Sequence, residues 1–309
     1  FETKKGMLHA IDGVDFAIRE GETLGLVGES GCGKSTTGRA ILRLHEPSSG
    51  QVLYRGEDVT RLSPARMKAM RRRMQIVFQD PYSSLNPRLP VAELIAEPLR
   101  VNRVYARKEE EAERVAAVME LVGLEARLID SYPHELDGGR RQRIGIARAL
   151  SVEPEFVVLD EPVSALDVCI QAQILNLMAE LQRKLGLTYL FISHNLSVVK
   201  HVSDRIAVMY LGKIVELSDY KSIFVEPLHP YTQALLSAIP TTRLERRKER
   251  IILEGDVPSP IEPPPGCRFC GRCRYRRERC AAETPELREV GAGRFVACHY
   301  YDVLGEKGS

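Results

Sequence analysis

The run Gly28-Glu29-Ser30-Gly31-Cys32-Gly33-Lys34-Ser35-Thr36 has the spacing G-x-x-x-x-G-K-[ST], which is suited to holding phosphate. Gly28, Gly31 and Gly33 let successive backbone N–H groups, including those of Ser30, Cys32 and Thr36, turn toward a polyphosphate. Lys34 can reach the β- and γ-phosphates, and the Ser35 hydroxyl can hold Mg²⁺ at the start of the following helix. The loop therefore predicts a bound nucleoside triphosphate. Further along, Asp160-Glu161 closes an apolar run. An acid there, downstream of a phosphate loop, suits Mg²⁺ coordination, and the neighbouring carboxylate can orient and deprotonate an attacking water. His194 follows the next apolar run and can donate to a γ-phosphate.

A third set of reactive side chains lies near the end of the chain. Five of the seven cysteines fall between Cys267 and Cys298, and setting Cys270 aside leaves C-x5-C-x6-C-x17-C on Cys267, Cys273, Cys280 and Cys298. Four thiolates can hold tetrahedral Zn²⁺ or an iron–sulfur cluster. No ferredoxin-like run ending in Cys-Pro is present, so spacing alone leans slightly toward zinc. Cys32 and Cys169 read as small packing residues.

The elements that must position these groups follow from hydrophobic patterning. Residues 23–27 form an apolar strand leading into the phosphate loop, and a helix follows through Leu42. Short strands are expected at 51–54 and 75–78, a helix with a charged face at 107–121, a buried strand at 156–159, an amphipathic helix at 170–185 and another buried strand at 188–192. The charge run 107–111 reads as a solvated helix start. Strands alternating with helices predict an α/β fold with a mainly parallel sheet, helices on both faces, and ligands at the carboxyl ends of its strands.

Composition narrows the partners. The chain has 309 residues, 44% hydrophobic and 28% charged, enough for a full α/β domain and something smaller. With 44 Lys and Arg against 42 acids, the net charge of +2 gives no general push toward nucleic acid or an anionic membrane. No apolar stretch approaches the length of a membrane span, and no secretory signal is evident. The thiols are therefore expected in a reducing compartment, serving metals or chemistry rather than disulfides. After about Glu226, prolines 227, 230, 240, 258, 260 and 263–265 flank a basic stretch at 243–250, which reads as a stiffened linker.

Over roughly residues 8–240 the chain resembles the ATP-binding subunits of ABC transporters. The resemblance rests on ordered motifs: the loop 28–36 as Walker A, Gln79 in Val77-Phe78-Gln79-Asp80-Pro81 as the Q-loop, 156–162 as Walker B, Ser164-Ala165-Leu166-Asp167 as the D-loop, and His194 as the switch histidine. It implies that Asp160 helps bind Mg²⁺, Glu161 is the catalytic carboxylate, His194 contacts the γ-phosphate, and Gln79 links the Mg²⁺ and water site to a membrane subunit. Phe1 is the candidate to stack on adenine. The implied organisation is a P-loop ABC ATPase domain at 1–226, with a helical subdomain at about 80–152, and an extension at 227–309 carrying the proline-rich linker and cysteine cluster.

Finer features resemble the oligopeptide/dipeptide importers, a branch that also includes nickel and some sugar transporters. They are Asp80-Pro81-Tyr82-Ser83-Ser84-Leu85-Asn86-Pro87, His229-Pro230-Tyr231-Thr232 and the cysteine-containing tail. This likeness implies two ATPase subunits, often nonidentical, sandwiching two ATP molecules at the cytoplasmic face of the membrane. They would sit under two integral membrane permease subunits, with an extracytoplasmic binding protein delivering substrate. It also implies a [4Fe–4S] cluster on Cys267, Cys273, Cys280 and Cys298, with Cys270 a departure that leaves a ligand swap open. Two rival readings are a non-transport ABC ATPase acting on nucleic acid or ribosomes, and a metal- or redox-sensing ATPase.

The clearest departure is at the ABC signature. Relatives normally read Ser-Gly-Gly-Gln, with the serine and the following helix N-terminus meeting the γ-phosphate held by the opposite subunit. Here the segment is Leu136-Asp137-Gly138-Gly139-Arg140-Arg141-Gln142. Asp137 can cap the helix through Leu150 about as well as serine. Its carboxylate would also repel a docking phosphate.

Overall fold

Short Val, Leu and Ile runs with no polar alternation suit strands covered on both faces, and the structure uses them so. The computed structural model describes residues 2–3, 6–239 and 250–303. Its described residues divide into two units, one drawn from Phe1–Ala17, Thr23–Thr37 and Ser193–Ser309, the other from Ile18–Glu22 and Gly38–Ile192.

In the first unit the strand Thr23–Val27 is buried along its whole length and pairs in parallel with Arg205–Tyr210, from Leu24 opposite Arg205 to Val27 opposite Val208. Arg205–Tyr210 then turns through Leu211 and Gly212 into the antiparallel strand Lys213–Asp219. The helix Leu196–Val202 begins just after His194, where Asn195 Oδ1 accepts the Ser197 N–H at 2.9 Å. Near the end of the chain, Arg294–Val296 pairs antiparallel with Lys213–Asp219, and Arg288–Gly291 pairs with Arg294–Val296.

In the second unit three parallel strands, Met74–Val77, Phe156–Asp160 and Thr188–Ser193, run in register from Met74 opposite Phe156 and from Phe156 opposite Thr188. The helices Val91–Asn102, Lys108–Leu121 and Gly138–Leu150 pack on one another through Leu94, Ile95, Leu99, Val115, Val118, Met119 and Ile144, all buried. Val168–Leu185 is the long amphipathic helix, started by Asp167 Oδ1 accepting the Ile170 N–H at 3.0 Å and ended by left-handed Gly186.

The α/β reading with a mainly parallel sheet is correct, and most expected elements fall within one or two residues of their predicted bounds. Two places differ. The apolar run at 51–54 yields only the pair Leu53–Tyr54, because Arg55 and Gly56 both take positive φ, 48° and 82°, and turn the chain at once into Glu57–Asp58. Positive φ at both central residues is the geometry of a tight hairpin turn. The two antiparallel pairs at 205–219 and 288–296 lie outside the alternation of strands and helices expected from sequence.

Candidate functional site

The residues expected to carry nucleotide chemistry divide between the two units. The first holds the phosphate loop 28–36 and His194; the second holds Gln79, Asp160 and Glu161. Phe1 lies outside the described residues.

The loop is held by its own lysine. Lys34, only 4% exposed, donates from Nζ to the carbonyls of Gly28 at 2.8 Å and Glu29 at 2.9 Å. Its carbonyls thus turn toward the ammonium, leaving the N–H side of the backbone to define the cradle. Thr37 Oγ1 donates to the Gly33 carbonyl at 3.0 Å and closes the first helical turn. Gly33 sits at φ 109°, and a Cβ added there would lie 2.1 Å from the Ala10 carbonyl oxygen. Only glycine satisfies both the torsion and the contact. Cys32 packs inward as expected, and burial raises its thiol pKa. Cys169 does not pack: it is exposed at the start of its helix, where the solvent-facing side needs no apolar filler.

Two side chains from distant segments grip Glu29. Its N–H donates to Tyr231 Oη at 2.9 Å, and its carboxylate accepts from Arg272 Nη1 at 2.8 Å. No local pattern announces either contact. Tyr231 belongs to the His229–Thr232 segment, which is fixed by Glu216: its carboxylate accepts from the Leu228 and His229 N–H groups at 2.8 and 2.9 Å. His229 Nδ1 accepts the Tyr231 N–H at 3.1 Å, and full burial pushes the imidazole down to about 3, so the ring is neutral.

In the second unit Asp160 ends its strand buried, 1% exposed, with Arg39 Nη2 3.9 Å from Oδ2. The next residue, Glu161, has φ 48°, a left-handed conformation costly for a side chain of this size, held by its N–H donating to the Ile192 carbonyl at 3.0 Å. Strain of this kind re-aims one side chain against the strand. Glu161 Oε2 accepts from Gln79 Nε2 at 3.1 Å, so the Q-loop residue and the carboxylate of the Walker B segment do meet. Asp137 caps Gly138–Leu150: Oδ1 accepts the Arg140 N–H at 2.8 Å, and Oδ2 lies 3.4 Å from Arg140 Nη1. Gly139 passes so close to the first turn of Val168–Leu185 that an added Cβ would sit 2.8 Å from Ile170 Cγ2, which binds the signature segment to the D-loop helix. Arg141 stacks over the exposed Tyr82 ring at 3.8 Å, tying the signature helix to the segment after the Q-loop.

Cys267, Cys270, Cys273, Cys280 and Cys298 all line one cavity, together with His229, Phe269, Tyr275 and Tyr300. Burial pushes the Cys267 thiol up to about 12 and Cys273 up to about 11, and charge on the neighbouring cysteines adds to both shifts. Among the described residues no three His, Cys, Asp or Glu side chains close on one point as a single metal ion requires.

With a phosphate loop at a strand end, a carboxylate pair at a parallel strand end and a capped signature segment in place, the protein is a P-loop ATPase of the ABC type. A family model described as ABC transporter matches residues 11–164, and one described as oligopeptide/dipeptide transporter, C-terminal region, matches residues 215–280. The oligopeptide transport ATP-binding protein AppF of Bacillus subtilis (strain 168) is 52% identical over 304 residues, spanning 97% of this chain and 92% of that protein. The dipeptide transport ATP-binding protein DppF of Escherichia coli (strain K12) is 49% identical over 308 residues, spanning 98% and 92%. Among solved structures, the dimeric ABC transporter cassette MJ0796 has a TM-score of 0.65 at 29% identity, covering 71% of this chain and 94% of that one. A post-hydrolysis state of MJ0796 bound to ADP and Pi has a TM-score of 0.62 at 30% identity, covering 68% and 90%. The chain belongs to the ATP-binding proteins of ABC transporters. Among the described residues no helix is long and apolar enough to cross a membrane.

The Gly33 contact gives a direct test. Gly33→Ala forces a Cβ against the Ala10 carbonyl, and should destabilise the protein by about 2 kcal/mol while removing tight ATP binding. Thermal unfolding and titration with a fluorescent ATP analogue check it; an unchanged melting temperature with wild-type affinity contradicts the packing described.

Proposed function

We propose that this chain hydrolyses ATP at the cytoplasmic face of the cell membrane to drive uptake of oligopeptides or dipeptides through two integral permease subunits. The observation that carries this reading is the joining, in one chain, of an ABC ATPase with the oligopeptide/dipeptide C-terminal region over residues 215–280. An extracytoplasmic binding protein delivers the peptide. The division into an ATPase domain at 1–226, with its helical part at about 80–152, and an extension at 227–309 belongs to the same proposal.

Gly28, Ser30, Gly31, Cys32, Gly33 and Thr36 present backbone N–H groups to the phosphates, and Lys34 neutralises them. The Ser35 hydroxyl, the Asp160 carboxylate and the Gln79 amide oxygen are hard donors of the kind Mg²⁺ selects, and the ion supplies charge neutralisation there. Glu161, aimed by its left-handed backbone and hydrogen-bonded to Gln79, takes the proton of the attacking water. His194, exposed at the start of its helix, donates to the γ-phosphate. Glu161→Gln keeps this shape and loses the base, so ATP should still bind while turnover falls ~10²–10⁴-fold. Near-normal turnover in a phosphate-release assay would sink the assignment.

Cys267, Cys273, Cys280 and Cys298 are the proposed ligands of a [4Fe–4S] cluster. What favours a cluster over Zn²⁺ is the resemblance of this cysteine tail to that of oligopeptide/dipeptide transporter subunits, and all four thiols line one cavity. Bound there, the cluster supplies positive charge that lets four crowded thiols ionise. Protein purified anaerobically should be brown and carry about four irons per chain. A colourless protein with stoichiometric zinc refutes the cluster.

The second ATPase subunit is proposed to be nonidentical, because Asp137 puts a carboxylate where a phosphate from the opposite subunit should dock. Two like charges ~4 Å apart cost about 4 kcal/mol at an effective dielectric of about 20 and about 1 kcal/mol in water. Asp137 is 56% exposed and partly neutralised by Arg140, which places the cost nearer the lower figure. Asp137→Ser should therefore raise ATP turnover of the assembled transporter by about fivefold. Equal hydrolysis at both sites of the wild-type complex, or a fully active homodimer of this chain, shows the carboxylate to be benign.

A further inference from the structure

The stretch 267–273 has two faces. Cys267, Phe269, Cys270 and Cys273 line the cysteine cavity, while Arg268 reaches Leu211 and Asp12 and Arg272 reaches the phosphate loop. Arg268 donates from Nη1 to the Leu211 carbonyl and from Nη2 to Asp12, and so holds the turn whose Gly212 N–H donates to the Cys32 carbonyl at 2.8 Å. Phe269, 2% exposed, packs against Tyr210 and Tyr231 with ring centroids 5.2 and 5.4 Å away. Arg272 ends a single 3-10 turn with its guanidinium on Glu29, the second residue of the phosphate loop, 243 positions earlier in the chain.

That last contact is electrostatically unusual for a phosphate site. Glu29 brings a carboxylate into the loop that must receive a polyanion, and its side chain is only 28% exposed, so water screens it incompletely. Arg272 is 10% exposed, and its Nε is buried without a partner among the described residues. The guanidinium faces both the Glu29 carboxylate and the Tyr210 hydroxyl, with its Nε left as an unsatisfied donor. We propose that Arg272 is a positioning residue of the nucleotide site: the cysteine-rich extension uses it to neutralise and fix Glu29, and thereby sets the affinity of the loop for MgATP. The proposal rests on the nucleotide-binding reading of the loop but not on which metal the cysteines hold.

The test is a charge cycle in the full chain, read by equilibrium titration with a fluorescent ATP analogue in the presence of Mg²⁺ and by iron analysis. Arg272→Gln leaves Glu29 bare beside the phosphates and should weaken binding about tenfold. Arg272→Lys keeps the charge and should stay within about threefold of wild type. The decisive variant is Glu29→Gln combined with Arg272→Gln. It removes both charges and should return affinity to within about twofold of wild type, with metal content unchanged. In the assembled transporter the same single variant should raise KM for ATP far more than it lowers kcat. An Arg272→Gln protein of wild-type affinity overturns the proposal. So does a double variant no tighter than the single one, or a loss of affinity that tracks loss of iron, since each makes Arg272 a structural prop. Wild-type protein that fails to bind MgATP would instead overturn the reading of the loop itself.

Discussion

A phosphate loop works only if its backbone N–H groups stay aimed at one small volume, and most of what surrounds residues 28–36 serves that constraint. Lys34 binds the Gly28 and Glu29 carbonyls from within. From outside, the Ala10 carbonyl fills the space where a side chain on Gly33 would go, and the Gly212 N–H holds the Cys32 carbonyl. The Tyr231 hydroxyl accepts the Glu29 N–H. Apart from Lys34, these groups come from segments distant from the loop in sequence. The fixed dipoles of such a cradle need little reorganisation when charge arrives, which is where electrostatic stabilisation of phosphoryl transfer comes from.

The second unit solves a complementary problem, placing a carboxylate without burying its charge. Asp160 continues its strand and is buried beside Arg39; Glu161 breaks the strand with a left-handed backbone and is turned toward Gln79. Adjacent acids of the same chemical type thus acquire different surroundings through one torsion angle. The signature segment is referred to the same framework by the close approach of Gly139 to Ile170 and by Arg141 on Tyr82. A shift of the segment after Gln79 therefore has a mechanical route to the signature helix within this unit.

How much of this could be read in advance depended on sequence distance. The loop, the strand before Asp160, and the capping role of Asp137 were legible because each is decided within four residues by turn chemistry and periodicity. The meeting of Gln79 with Glu161 was accessible only through family resemblance, since 82 positions separate them. In the Arg205–Asp219 hairpin, residues 206–210 are a continuous buried apolar run that the sequence reading passed over, whereas Lys213–Asp219 and the Arg288–Val296 hairpin mix apolar and polar residues without strict alternation, and a bulge interrupts each ladder. Arg272 on Glu29 left no trace in spacing at all: an arginine among cysteines reads as a solvated charge until the fold brings the loop beside it.

The extension repeats that lesson at a larger scale. Read as composition, residues beyond 226 are a proline linker and a thiol cluster with little apolar company. In the structure the company is borrowed: Phe269 completes an aromatic group with Tyr210 and Tyr231, and Val296 is fully buried where Arg294–Val296 covers the edge of Lys213–Asp219. Covering that edge also removes a row of open hydrogen-bonding groups, while the new outer strand Arg288–Gly291 is mostly exposed and charged, a poor template for further pairing. A segment with too few apolar residues to make its own core has thus become part of the unit that holds the phosphate loop. It is joined to the loop's surroundings through the residues between its cysteines, which reach Leu211, Asp12 and Glu29.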